Sequence, residues 1–130
     1  MAEPKISRVV ELYSGTITET TTGEGKEVPL ADFCHILVDV TAQSGTNDTL
    51  VPTIQVSHDN SEWFDRGVVI DEVTEGSLTR TTAPTTEAKI LAAGNYQLML
   101  HGQLAKYMRV VLTVAGTSVS ITLSVRAVLR

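Results

Sequence analysis

Cysteine is almost absent from this chain, since Cys34 is the single cysteine among 130 residues. One thiol excludes an internal disulfide framework and a cysteine-rich zinc site. Aromatic residues are also scarce, at 5%. Ten basic residues stand against fifteen acidic ones, for a formal net charge of -5, so we predict no nucleic-acid partner. The longest apolar run, at 90–93, is far shorter than a bilayer span, which predicts no membrane partner.

Threonine and valine are abundant instead, with eighteen and sixteen copies. β-Branched residues favour strands over helices, and several short segments alternate between apolar and polar residues. The composition and the alternation predict an all-β fold, a single antiparallel β-sandwich that is jelly-roll-like or immunoglobulin-like. We assign the sandwich to residues 31–130. Residues 1–30 are polar and threonine-rich, which predicts an N-terminal arm or edge strands. The segment 85–93 fits either a short helix or a strand with a turn.

The last 25 residues carry the clearest alternation. Apolar residues occupy every even position of 108–114 and every odd position of 119–129. We interpret this change of parity as a hairpin that turns at Gly116. The predicted register places Val114 opposite Val119 and Leu112 opposite Ile121, since a one-residue slip would expose every one of these side chains.

Residues with catalytic or metal-binding chemistry are scattered. His35, His58 and His101 lack the short spacing that directs two imidazoles at one metal. Cys34 and His35 are neighbours on a predicted strand, so their side chains point to opposite faces and make a poor catalytic dyad. No nucleophile elbow, zinc-protease or phosphate-loop motif occurs. We therefore expect no catalytic residue, no cofactor and no metal site, and no enzymatic activity.

The segment SHDNSEW at 57–63 predicts a tight turn that Asp59 caps. Trp63 and Phe64 follow it at the start of a strand. Two interpretations remain open for this aromatic pair. Trp63 anchors the core, or the pair forms a platform for stacking a sugar, as in a carbohydrate-binding module.

Three segments, VTAQSGT at 40–46, SHDNSEW at 57–63 and YMRVVLTVAGTSVSITLSV at 107–125, occur in an order that resembles small β-sandwich structural proteins of tailed bacteriophages. Residues 1–30 and 68–90 lie outside the resemblance. It implies a noncatalytic virion protein, in particular a head decoration or cement protein that bridges major capsid subunits. It also implies a homo-oligomer, most simply a trimer, made in the host cytoplasm and located on the capsid surface. A tail or head-tail adaptor component is the alternative within this family, and a carbohydrate-binding module is the alternative outside it.

Overall fold

The computed structural model describes residues 8–69, 71–74, 77–79, 90, 93–103 and 105–130. These residues form strands and connecting turns, with no helix among them, so the predicted all-β class is confirmed. The strands are β1 Arg8–Ile17, β2 Thr21–Thr22, β3 Lys26–Glu27, β4 Ala31–Ser57, β5 Phe64–Val68, β6 Asp71–Thr74, β7 Ser77–Thr79, β8 Gly94–Gln103 and β9 Tyr107–Leu129.

All strands belong to one open antiparallel sheet. The order is β1-β9-β4-β8-β6-β7, while β2 and β3 pair with β9 and β5 pairs with β4. The two long strands run antiparallel along their whole length, from Cys34 opposite Leu129 to Ser57 opposite Tyr107. Most of the other strands pair directly with this β4–β9 ribbon.

A corner interrupts the middle of the ribbon. The register shifts between 40 and 49, and each strand carries there one glycine and one other residue with positive φ. On β4 these are Gly45 and Asn47, and on β9 they are Gly116 and Ser118. The corner separates half-sheet A (residues 31–44 and 120–129, with β1, β6, β7 and β8) from half-sheet B (residues 49–57 and 107–115, with β2, β3 and β5).

The two half-sheets pack against each other as the layers of a sandwich. A Cβ atom added at Gly67 of half-sheet B would lie 2.9 Å from Leu98 Cδ2 of half-sheet A. Arg66 of half-sheet B donates hydrogen bonds to the carbonyls of His101 and Gly102, at 2.9 and 2.8 Å. The hydrogen-bonded sheet is therefore continuous through the corner. Away from the corner, its two halves contact each other through their side chains.

One apolar cluster fills the space between the layers, and strand alternation supplies its members. From half-sheet A come Ile36, Val38, Val40, Ile121, Leu123, Val125, Ala127 and Leu129, and from half-sheet B come Leu50, Ile54, Met108, Val110 and Leu112. Every one of these side chains is almost completely buried. The predicted core faces at both ends of the chain's last strand are thus confirmed.

The predicted hairpin is wrong. Residues 107–129 form a single strand that pairs with β1, β2, β3 and β4 and not with itself. Val114 lies opposite Leu50, and Ile121 lies opposite Gln43. The physical reason is the corner with positive φ at Gly116 and Ser118. It moves the buried side chains from even-numbered to odd-numbered positions, as a hairpin turn would, but the chain continues in the same strand.

The N-terminal part described by the structure belongs to the sheet. β1 pairs with β9 from Arg8 opposite Leu129 to Ile17 opposite Ile121, and it ends the strand order. Leu12, Ile17 and Val28 are buried in the core cluster. The domain boundary at residue 30 stays a prediction.

Of the segment 85–93, only Ile90 and residue 93 are described. The backbone of Ile90 exchanges two hydrogen bonds with Leu50, at 2.8 and 2.9 Å.

Candidate interaction surfaces

An apolar rung crosses four strands on the outer face of half-sheet A. Register places Val9 of β1 beside Val128 of β9, which lies beside His35 of β4, which lies beside Met99 of β8. Val9 is 58% exposed and Met99 51%. Residues on adjacent strands share a face when they are directly opposite, so these side chains form one continuous surface.

The next rung adds an aromatic pair to this surface. Phe33 of β4 lies opposite His101 of β8, with ring centroids 5.6 Å apart in an edge-to-face arrangement. Phe33 is 49% exposed. A hydrogen bond of 2.6 Å joins His35 Nε2 to Gln97 Oε1. The edge contact and the hydrogen bond restrict the rotamers of side chains that lie on the face of the sheet.

Arginines border the apolar rungs. Arg126 and Val128 of β9 alternate with Arg130, which directly follows the strand, so these residues share the outer face, and both arginines are exposed. The exposed Glu11 of β1 lies directly opposite Arg126 on the same face. The backbone of Arg130 also exchanges two hydrogen bonds of 3.0 Å with Phe33. We call this surface the basic-apolar patch. Its members are Val9, Phe33, Met99, Arg126, Val128 and Arg130.

A second surface forms at the turn between β4 and β5. The Asp59 carboxylate accepts hydrogen bonds from the backbone N–H groups of Ser61 and Glu62, both at 2.9 Å, and from the Ser57 hydroxyl at 3.0 Å. These donors, the Glu62 N–H first, hold the pKa of Asp59 below its usual range. Asn60 takes the positive φ that the turn needs. The predicted cap by Asp59 is confirmed.

Trp63 is half-buried and anchors this turn. The guanidinium of Arg109 lies 4.2 Å from the centroid of the Trp63 ring, in cation-π distance. A Cβ atom added at Gly25 would overlap Asn60 Oδ1 and approach within 2.9 Å of the Trp63 ring. Trp63 is therefore packed between Arg109 and the 23–27 segment and is absent from the core cluster. The core-anchor interpretation of Trp63 is wrong, because the ring fastens a surface turn.

A chain of hydrogen bonds extends from Arg109, the cation-π partner of Trp63, across the outer face of half-sheet B. Arg109 Nε donates to Gln55 Oε1 at 2.8 Å, and Gln55 Nε2 donates to Asp65 Oδ1 at 2.8 Å. The guanidinium covers one face of the indole, which removes that face from sugar stacking. Each member of the chain fixes the rotamer of the next.

Phe64 projects from the same turn and is 54% exposed. Glu62 and Asp65, on either side of it in sequence, are exposed carboxylates. We call this surface the acidic tip. Its members are Asp59, Glu62, Phe64 and Asp65. Its three carboxylates are exposed, while Phe64 and Asp65, as consecutive residues of β5, point to opposite faces of the sheet.

The remaining reactive side chains do not converge. Cys34 is fully buried, and burial raises the pKa of its thiol to about 11 against an opposing effect of the Arg66 guanidinium. His35 lies on the outer face, so the alternation separates it from Cys34 as predicted. Within the described ranges, no group of three histidine, cysteine or acidic residues is placed to hold a metal ion.

A groove of about 530 Å³ lies between β1 and the 22–26 segment. Its lining includes Leu12 and Gly23 together with the charged residues Glu11, Glu24 and Lys26. Lys26 Nζ lies 3.6 Å from Glu24 Oε2, with both side chains largely in solvent. Such an exposed ion pair contributes little free energy, so it does not hold either side chain in a fixed position to bind a ligand in the groove.

Comparison with known proteins identifies no relative: no protein-family model, curated protein or solved structure matches the chain. Within the part of the chain that the structure describes, no helix is long and apolar enough to cross a membrane.

Sequence reasoning noticed Phe64 but missed the basic-apolar patch, because its members come from four strands that are far apart along the chain. The alternation of Arg126, Val128 and Arg130 was the one local signal for it.

Proposed function

We propose that this protein is a noncatalytic structural subunit of a tailed-phage virion, a decoration or cement protein that binds the major capsid protein on the head. The observation that carries the proposal is the basic-apolar patch. Phe33, Met99 and Val9 are each about half exposed on one face. Contiguous exposed apolar surface on a soluble domain marks an interaction site, and a cement protein acts through surface contact.

Hydrogen bonds hold the backbone or side chains of both candidate surfaces in place, which supports this role. The patch lies on four hydrogen-bonded strands, and the acidic tip is held by the Asp59 cap and by the Gln55–Arg109 hydrogen bond. Surfaces that are already ordered lose little conformational entropy when a partner binds. Many copies on a symmetric shell then add avidity to individually modest contacts. The resemblance of the segments at 40–46, 57–63 and 107–125 supplies the virion context.

Cosedimentation with phage heads assembled without this protein tests the proposal. We expect the wild-type chain to sediment with the heads at a saturable stoichiometry, and a Phe33→Ser/Met99→Ser variant to bind at least about tenfold more weakly. The matched control is Leu30→Ser, because Leu30 is 73% exposed but is not a member of the patch. Wild-type protein that never sediments with heads overturns the decoration role. Binding to isolated tails instead favours the tail or adaptor alternative.

A further inference from the structure

One edge strand of the sheet is much longer than the others. β1 ends the strand order, and of the described strands it pairs with β9 alone. It spans ten residues, whereas β7 at the other end has three, β5 has five, and β2 and β3 have two each. The part of β8 beyond β6 is occupied, since Arg66 donates hydrogen bonds to the carbonyls of His101 and Gly102. A long edge strand presents a row of backbone N–H and C=O groups to another strand. We propose that β1 pairs antiparallel with β1 of a second copy, which joins two copies into a dimer with one continuous sheet.

The backbone edge of β1 borders open space. Four consecutive residues, 11–14, line the groove of about 530 Å³. Glu11 and Ser14 are exposed on the outer face, while Leu12 and Tyr13 pack on the core side. Residues from both faces of a strand line one groove only where that groove adjoins the edge between the faces. Among the described residues, no backbone hydrogen bond from a turn or loop uses this edge. An added strand therefore finds the edge accessible.

A bulge makes the face pattern of β1 symmetric about the middle of the strand. The register with β9 skips Leu12. As a result, the outer face takes positions 9 and 11 before the bulge and positions 14 and 16 after it. Side chains that lie opposite each other on paired strands share a face, so only one antiparallel self-pairing matches the faces over all ten residues. It places Val9 opposite Thr16 of the second copy, and Glu11 opposite Ser14.

The composition of β1 suits a second copy as the occupant. The strand contains neither lysine nor proline, the residues that commonly protect an edge. In the matched register, Arg8 lies opposite Ile17 of the second copy, and no charged side chain lies opposite a like charge. The pairs outside the bulge form about eight backbone hydrogen bonds, a number typical of a whole protein interface. Val9, 58% exposed at the edge, is partly covered by the added strand.

The pairing has a consequence for binding. Outer positions lie opposite outer positions, so both copies turn the basic-apolar patch to the same side of the joined sheet. Two patches on one side bind one surface with avidity. This consequence rests on the proposed function, whereas the pairing itself needs no capsid. A contact between identical edges is complete with two copies, so the assembly is a dimer and differs from the trimer that the resemblance implies.

Sedimentation equilibrium of the full chain over a concentration series measures the dimerisation. Ser14→Lys places a positive charge opposite Glu11 of the second copy, and Ser14→Glu places a negative charge there. The two-fold axis repeats each contact, and cross-strand charge pairs stabilise or destabilise a sheet according to their sign. We expect Ser14→Lys to dimerise about fivefold more tightly than the wild type and Ser14→Glu about fivefold more weakly.

The matched controls are Asn95→Lys and Asn95→Glu. Asn95 is exposed on β8, three strands away from β1 in the sheet order. Each control changes the net charge by the same amount as the corresponding Ser14 variant, so it reports any effect of net charge on association. Far-UV circular dichroism and thermal unfolding verify that each variant is folded. We expect both controls to dimerise like the wild type.

Disulfide crosslinking tests the register directly. Val9→Cys and Thr16→Cys variants are mixed in equal amounts and oxidised mildly. Cysteines directly opposite each other on antiparallel strands come within reach of a disulfide, so we expect a covalent dimer that contains one copy of each variant. Either variant alone is the control, because its two new thiols lie far apart along the paired strands. The native Cys34 is fully buried and does not compete. If a Ser14 variant fails to fold, this experiment decides by itself.

Three outcomes overturn the inference: a wild-type chain that is not a dimer, folded Ser14 variants that associate like their Asn95 counterparts, or a mixture that crosslinks no more than either cysteine variant alone. A Val9→Cys chain that crosslinks to a cysteine of the capsid protein on heads, in place of a second copy, also overturns it. The proposed function fails separately. A monomer that sediments with heads refutes the edge pairing alone, and a dimer that ignores heads refutes the decoration role alone.

Discussion

Replacing Gly116 by alanine tests the corner that joins the two layers. Gly116 has φ of 123°, a conformation that L side chains rarely adopt. An alanine Cβ there would lie 2.9 Å from three backbone atoms of the facing strand, namely Asn47 O, Thr46 O and Asp48 Cα. A strained backbone conformation costs on the order of 1–3 kcal/mol, and overpacking against atoms that cannot rotate away costs about 1–3 kcal/mol more.

We therefore expect Gly116→Ala to lower the free energy of unfolding by about 2–6 kcal/mol. Urea unfolding followed by Trp63 fluorescence and by far-UV circular dichroism measures this loss. With an ordinary dependence on denaturant, the midpoint falls by roughly 1 M or more. Coincidence of the two probes shows that the layers unfold together.

Gly102→Ala is the matched control for this experiment. Gly102 also has positive φ, 79°, but a Cβ atom added there meets nothing within 4 Å. The control therefore reports backbone strain alone, and the difference between the two variants reports the close approach of the strands at the corner. If Gly116→Ala costs no more than Gly102→Ala, the two backbones do not meet there, and the bent-ribbon account of the fold is wrong.

Three further predictions concern the core, the acidic tip and the thiol. Leu112→Ala should cost about 2–5 kcal/mol in urea unfolding because it leaves a cavity in the core, whereas Leu30→Ala, at a 73% exposed position, should change stability by no more than about 0.5 kcal/mol; equal effects would contradict the assigned core. Because the pKa of Asp59 is lowered in the folded state, its ionised form stabilises the fold above the ordinary pKa of about 3.9, and this contribution disappears as the pH falls through the lower folded value. The stability advantage over Asp59→Asn should shrink on acidification, and an advantage independent of pH would refute the cap. Cys34 should resist iodoacetamide at mildly alkaline pH until urea unfolds the chain, because burial raises its pKa to about 11; labelling at the rate of a free thiol would place it outside the core.

The sequence by itself determined which side chains face the core. Val119 to Leu129 and Met108 to Leu112 are buried at alternate positions as their pattern predicts, because a strand presents successive residues to opposite faces. The separation of Cys34 from His35 has the same cause. The Asp59 turn was also predictable, since the side chain caps backbone N–H groups within three residues of itself.

Only the tertiary structure decided which strands pair. A hairpin within 107–129 and a ribbon between β4 and β9 bury the same faces, so alternation cannot choose between them. The choice depends on a corner whose residues, Gly45 and Asn47 on one strand and Gly116 and Ser118 on the other, must match across the ribbon. The basic-apolar patch is equally nonlocal. Its residues come from β1, β4, β8 and β9, and they become neighbours only because long-range register places them on adjacent rungs of one face.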